Sequence, residues 1–349
     1  MRDDIVVDSS KIVSLENYNF SGLDASLIGA IKSVIDYYQL PLTTSWIYGM
    51  TGYAFLHVLD EEMVKPNIGP PEPEIFKLIR NLGIDINGFH DYAEGEDFKN
   101  LQAVAWEKAK LAIRSKQPVF AKNIDIRNQT SVVYAYSDIG YYTKSWHTGY
   151  EHSEDVIPWK ALGLGLCPCI NCVNSRKESK FVTPTGGLIS LHWAKPIEAV
   201  DELKAFKEAL EFVIHLNEEG IYKWEGKAYF VGQKAYERWL TAIENNAINK
   251  YYFSLFIEIL NEGRHHAAKF LAEIKEKFAF IDKQLIDDGI TTYSAITSRY
   301  KMLNEMYPYE EPPVIELNEK ERCITIVKEL MDLENKALNT LNEIYACLK

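Results

Sequence analysis

Three cysteines within six residues, Cys167-Pro-Cys169-Ile-Asn-Cys172, are the sharpest chemical signal in the chain. Thiolates two and five positions apart can converge on one soft cation when Pro168 and Asn171 bend the backbone. A tetrahedral zinc site needs a fourth ligand, and His192, His152 and His147 are near enough in sequence to supply it. The same spacing accommodates a Cys169–Cys172 disulfide or three free thiols in a loop. A zinc ion here would be structural, stapling a connection from Trp159 to Leu188 that carries no clear secondary-structure pattern. Three thiolates and a water could also make a hydrolytic centre, but no carboxylate is spaced as its general base.

Other groupings read as weaker chemistry. His90-Asp91-Tyr92-Ala-Glu94-Gly-Glu96 looks like a loop with one histidine and several acids, and Trp146-His147 and Tyr150-Glu151-His152 set histidines beside aromatics. Such loops can rim a ligand pocket, and they also occur as ordinary solvated surface. Glu262 and His265 have the spacing of a carboxylate-bridged di-iron helix, with Glu258 one turn earlier. No second Glu-x-x-His is present in that half, so ordinary pairing along a helix is the expected reading.

The elements that must hold these residues change character near Pro196. Before it, Leu27, Ile31, Val34 and Tyr38 mark a helix, with others expected from Glu74 to Leu82 and from Phe98 to Ser115. Short β-prone pieces are Ile5-Val-Val, 11–15, 118–122, 130–136 and 141–145. The tight turn at 137–140 makes the last two antiparallel neighbours. After Pro196, residues 198–218, 227–248, 251–278, 283–305 and 318–347 read as long helices. Proline-rich stretches at 66–73 and 307–313 read as loops. The expected architecture is an α+β domain over 1–197 followed by an all-α domain over 198–349.

The chain has 349 residues with 47% hydrophobic and 25% charged, which excludes a disordered or low-complexity protein. A net charge of −12 gives no field to gather a phosphate backbone, so nucleic acid is not expected as a partner. No stretch is apolar for long enough to span a membrane. The N-terminus has no leader pattern, and five cysteines make a poor secretory disulfide framework, so a cytoplasmic protein is expected.

The first half resembles the peptidase C39-like and butirosin-biosynthesis-H-like families, which share a papain-like cysteine-protease fold. The likeness rests on Asp36-Tyr37-Tyr38 at the end of the first helix, on 47–55, on Lys116-Gln-Pro-Val-Phe-Ala, and on Val132-Val-Tyr-Ala-Tyr-Ser-Asp138 before Gly140-Tyr-Tyr. The tail, through 235–239 and 264–271, is similar to the C-terminal extension of butirosin-H-like members. The resemblance implies a nucleophile at the start of the first helix, which falls on Ser26, and a facing histidine within Gln129-Thr130-Ser131, where there is none. A serine depends on a base more heavily than a thiol does, and only His147, His152 or His192 could supply one. The resemblance therefore implies a pseudoenzyme whose cleft binds a small molecule, peptide or protein partner. Its alternative is an acyltransferase or amide-bond enzyme with relocated catalytic groups. The oligomeric state is left open.

Overall fold

The computed structural model describes residues 12–63, 72–224, 226–310 and 317–348. The β-prone Ile5-Val-Val piece, most of the proline-rich stretch at 66–73, and residues 311–313 lie outside the described residues. In chain order the elements are β1 (Val13–Ser14), α1 (Ser26–Tyr37), α2 (Thr44–Met50), β2 (Val58–Asp60), α3 (Glu72–Asn81), β3 (Ile84–Glu94) and α4 (Gly95–Arg114). There follow β4 (Val119–Lys122), β5 (Thr130–Tyr136), β6 (Gly140–Lys144), β7 (Ile157–Pro158), α5 (Ile170–Glu178) and β8 (Gly186–Pro196). The remainder comprises α6 (Glu202–Glu219), β9 (Ile221–Trp224), β10 (Lys227–Val231), α7 (Gln233–Glu244), α8 (Lys250–Lys277), α9 (Lys283–Met306) and α10 (Lys320–Ala346).

These elements divide into two compact units, Met1–Leu40 with Asp85–Pro196 and Pro41–Ile84 with Ile197–Lys349. A single cut after residue 197 therefore does not describe the chain, because residues 41–84 belong with the C-terminal segment.

The first unit is a seven-stranded sheet in the order β3-β8-β4-β5-β6-β7, with β1 paired to β5. The β8–β4, β4–β5, β5–β6 and β6–β7 pairs are antiparallel, the β5–β6 pair as the turn at 137–140 implied. Helix α1 packs on β5 and helix α4 on β8. Leu27, Ile28, Ala30, Ile31, Val34 and Ile35 are all buried, so α1 is covered around most of its circumference. Two sequence expectations fail here. Residues 90–94 form the end of β3 rather than a loop, and the connection after Trp159 contains α5 and runs into β8. Helix α5 has no buried residue and shows no apolar stripe, so periodicity could not have found it.

The second unit is not all-α. Strands β9 and β10 form an antiparallel hairpin, and β10 also pairs with β2. Tyr229, Phe230 and Val231 favour a pleated strand over the helix expected across 227–248, so α7 begins only at Gln233. Helix α2 is not among the expected elements, whereas α3, α6, α8, α9 and α10 match their expected spans closely, with α8, α9 and α10 packed in succession.

The interior of this unit holds an ion pair. Arg264 is completely buried, its Nε lies 2.5 Å from Glu334 Oε1, and its Nη1 donates to the carbonyls of Ala54 and Leu56. His57 lies against the rings of Tyr236 and Trp239, with neither ring nitrogen hydrogen-bonded. The side chains around the Glu262–His265 spacing make other contacts. Glu262 accepts from Tyr48, the neighbouring His266 ring stacks on Tyr48, and His266 Nδ1 lies 2.9 Å from Ser45 Oγ. Neither residue belongs to any metal-ligating group among the described residues.

Candidate metal centre and the pocket beside it

Two loops of the first unit build the centre. The chain leaves β6 through a turn in which Ser145 N–H donates to Thr148 Oγ1, Thr148 N–H donates to the Ser145 carbonyl, and His147 N–H donates to Ser145 Oγ. Trp146 anchors that turn by donating its indole N–H to the Leu23 carbonyl, leaving the His147 ring stacked on Tyr150.

The second loop approaches through Gly163 and Gly165, both at positive φ, whose N–H groups donate to the one carbonyl of Asn123. A Cβ on Gly165 would lie 2.9 Å from the Arg127 backbone, so both conformation and space call for glycine there. The two loops then pair. Ile170 N–H donates to the Glu151 carbonyl, Ser153 N–H donates to the Pro168 carbonyl, and His152 faces Cys169 across an antiparallel bridge. Cys169 caps α5, Cys172 lies in its first turn, and Arg176 reaches back to the Cys167 carbonyl.

This pairing gathers His147, Cys167, Cys169 and Cys172 so that their ligand atoms all lie within 4.8 Å of one another, a group that could hold a metal ion. His147 Nδ1 is 3.0 Å from Cys167 Sγ, 3.5 Å from Cys169 Sγ and 3.9 Å from Cys172 Sγ. Bonds of about 2.3 Å to sulfur and 2.0 Å to nitrogen give a tetrahedron with edges of roughly 3.5–3.8 Å, so small shifts would seat the four atoms on one zinc. Cys169 N–H points at Cys167 Sγ, 3.4 Å away, an arrangement that favours a thiolate there.

Without a cation, three thiols this close settle their repulsion by sharing protons. Cys172 is pulled down to about 4 by hydrogen bonds, from Cys167 most of all and also from His147 and Cys169. Cys167 is pushed up, first because it donates to Cys172 and then by burial, and Cys169 is pushed up by burial. The three thiols thus differ in acidity, and binding a metal would displace the protons they hold.

The fourth member is His147 and not His192. His192 is buried on β8, in register with Phe120, with Nε2 3.2 Å from Ser190 Oγ, and it is not part of the thiol group. His152 meets the cysteine loop through its backbone bridge, yet its side chain is likewise not in the group. From sequence His192 stands first as the fourth ligand, with His152 and His147 as the other candidates. The turn at 145–149 separates them.

Ser26 opens α1 and is buried. Its hydroxyl donates to Gln129 Oε1 at 2.7 Å and accepts from Thr130 N–H at 3.0 Å. An amide oxygen has no useful basicity near neutral pH, so this partner cannot take the hydroxyl proton as a general base.

A cavity of about 260 Å³ adjoins the metal group, sharing His147 and Cys167 as lining residues. Its other walls include Asp125, Tyr134, Tyr142, Thr143 and Asp155. The buried Asp125 carboxylate accepts from Ser131 Oγ, from Thr143 Oγ1 at 3.0 Å and from Ile126 N–H at 2.6 Å. Sequence reasoning passed over Asp125. The only available signal was an acid set between two isoleucines just after a buried strand.

No protein-family model matches this chain, and none of the curated proteins searched matches it either.

Proposed function

We propose that the first unit is a non-catalytic binding module of papain-like descent, whose ligand-facing loops are stapled by one structural zinc ion on Cys167, Cys169, Cys172 and His147. The observation that carries this reading is the convergence of three thiols and one imidazole nitrogen from two loops that pair through backbone hydrogen bonds. Four protein ligands leave no open position for a substrate, which is the pattern of a structural zinc rather than a catalytic one. Without a cation the thiols avoid repulsion only by holding protons, whereas a divalent ion displaces those protons and turns the same group into folding energy. The bond from Ser26 to Gln129 supports the non-catalytic half, because it occupies the place where the resemblance implies a thiol facing an imidazole.

The test is metal analysis of untagged full-length protein purified without added zinc, paired with labelling by serine- and cysteine-directed acylating probes. About one zinc per chain and no fold-dependent adduct on Ser26 are expected. Metal-free protein whose loop is equally resistant to protease with and without chelator would remove the staple. An adduct on Ser26 that vanishes on unfolding would instead favour the acyltransferase reading.

A further inference from the structure

The cavity beside the metal centre is lined by three carboxylates, Asp125, Glu154 and Asp155, and by no lysine or arginine; its other titratable walls are His147, His152, Cys167, Tyr134 and Tyr142. Asp125 is only 3% exposed. Its carboxylate has three hydrogen-bond donors but no cationic partner among the described residues. A buried charge satisfied by neutral donors alone has given up hydration without gaining a counter-charge. The phenol of Tyr134 is pushed up mainly by burial, then by Tyr142 and last by Asp155.

The size and spread of these groups narrow the occupant. At about 260 Å³ the cavity has room for several waters or one small organic molecule, just below the usual range for ligand pockets. A hard divalent cation would need oxygens that converge, and Asp125, Glu154 and Asp155 form no such group among the described residues. An anion would meet three carboxylates with no lysine or arginine among the lining residues to offset them, only the imidazoles of His147 and His152. The walls also offer the aromatic rings of Tyr134 and Tyr142, whose centroids lie 6.3 Å apart. The chain itself shows that Tyr134 accepts an ammonium group, since Lys144 Nζ lies 4.7 Å from the ring centroid. Lys144 is not a lining residue, and it is held by Asn19 Oδ1.

From these features we infer that the cavity binds a small aliphatic amine in its ammonium form, with the charge set toward Asp125 and Asp155 and the hydrocarbon against Tyr134 and Tyr142. The inference deepens the binding-module reading by naming a ligand class, and it does not depend on the metal being zinc. Thr143 has a dual part, since it lines the cavity and donates to Asp125, fixing the carboxylate in orientation.

Calorimetric titration of the full chain with putrescine tests the inference, with butanediol as the uncharged analogue and succinate as the anionic one. Saturable putrescine binding is expected, without binding of either analogue. Asp155→Asn, at an exposed position, should weaken it several-fold, and Asp125→Asn by roughly tenfold or more. Added salt should weaken binding only modestly, because the Asp125 contact is buried. If Asp125→Asn does not fold, Asp155→Asn and Tyr142→Ala carry the test alone. Absence of putrescine binding at tens of millimolar would overturn the inference, as would equal binding of succinate or indifference to the Asp155 and Tyr142 substitutions. Zinc content measured on the same samples separates the two claims. Zinc without putrescine binding sinks only the amine pocket, and putrescine binding without zinc sinks only the staple.

Discussion

Ser26 Oγ and Gln129 Oε1 are 2.7 Å apart in the interior of the first unit, and the same hydroxyl accepts the N–H that opens β5. This side chain ties the start of a helix to the start of a strand. Ser26→Ala leaves a buried amide and a buried N–H without this partner and should cost about 1–3 kcal/mol, read by urea denaturation. Ser26→Cys should yield a thiol with a pKa at or above that of a free cysteine. Thiol titration showing a value well below that would mean an imidazole reaches the helix start.

Zinc retention should discriminate among the histidines. His147→Ala, and serine at any one of Cys167, Cys169 or Cys172, should lower metal affinity by tenfold or more, while His192→Ala should leave it unchanged. Competition with a chromogenic chelator reads the difference. Chelation of the wild type should expose residues 145–180 to protease while the helices of the second unit stay resistant. Equal loss of zinc in the His192 variant would reassign the fourth ligand.

The Arg264–Glu334 pair sets a large penalty on single substitutions in the second unit. Glu334→Gln leaves a fully buried guanidinium without its counter-charge and should cost about 3–5 kcal/mol. An Arg264→Met, Glu334→Leu double variant should recover a substantial part of that loss. Thermal denaturation of the three variants tests this, and a double variant no better than Glu334→Gln would show the hydrogen bonds to Ala54 and Leu56 to be the larger contribution.

His57 should make the second unit acid-sensitive. Burial, followed by the charge of Arg264, holds its pKa well below the usual 6.5, so the unfolded chain takes up a proton that the native ring refuses. Stability contributed by the neutral ring is fully present above about pH 6.5 and falls as pH drops through that value. His266, lowered to about 4 by burial and then by His265 and Lys269, adds a loss in the same direction. His57→Phe should flatten the dependence of the urea midpoint between about pH 7 and 5 without abolishing it. An unchanged slope would place the acid sensitivity elsewhere.

Much of the helical part was legible because its apolar residues repeat with the period of a helix, as in α1 with Leu27, Ile31 and Val34 and in α10 with Ile326, Leu330 and Leu341. Helix α5 escaped because it buries nothing, and the β9–β10 hairpin escaped because Ala235, Tyr236 and Trp239 beyond it repeat convincingly as a helix. The three site cysteines announced themselves by proximity in sequence. Their fourth partner did not, because His147 arrives by a turn whose hydrogen bonds run through Ser145 and Thr148, and no periodicity encodes such a turn.

The second unit draws on two stretches of chain separated by more than a hundred residues. Trp46 and Phe55 leave the ribosome early, yet Phe270, whose ring packs against both, follows roughly 220 residues after Trp46. At ordinary elongation rates that interval is about 10–45 s, during which these rings lack the cover of α8. Nascent chains should therefore call on a holding chaperone at this stage. A gene fragment stopped at residue 197 would never supply the cover, so dissecting the protein calls for splicing around 41–84 rather than truncation.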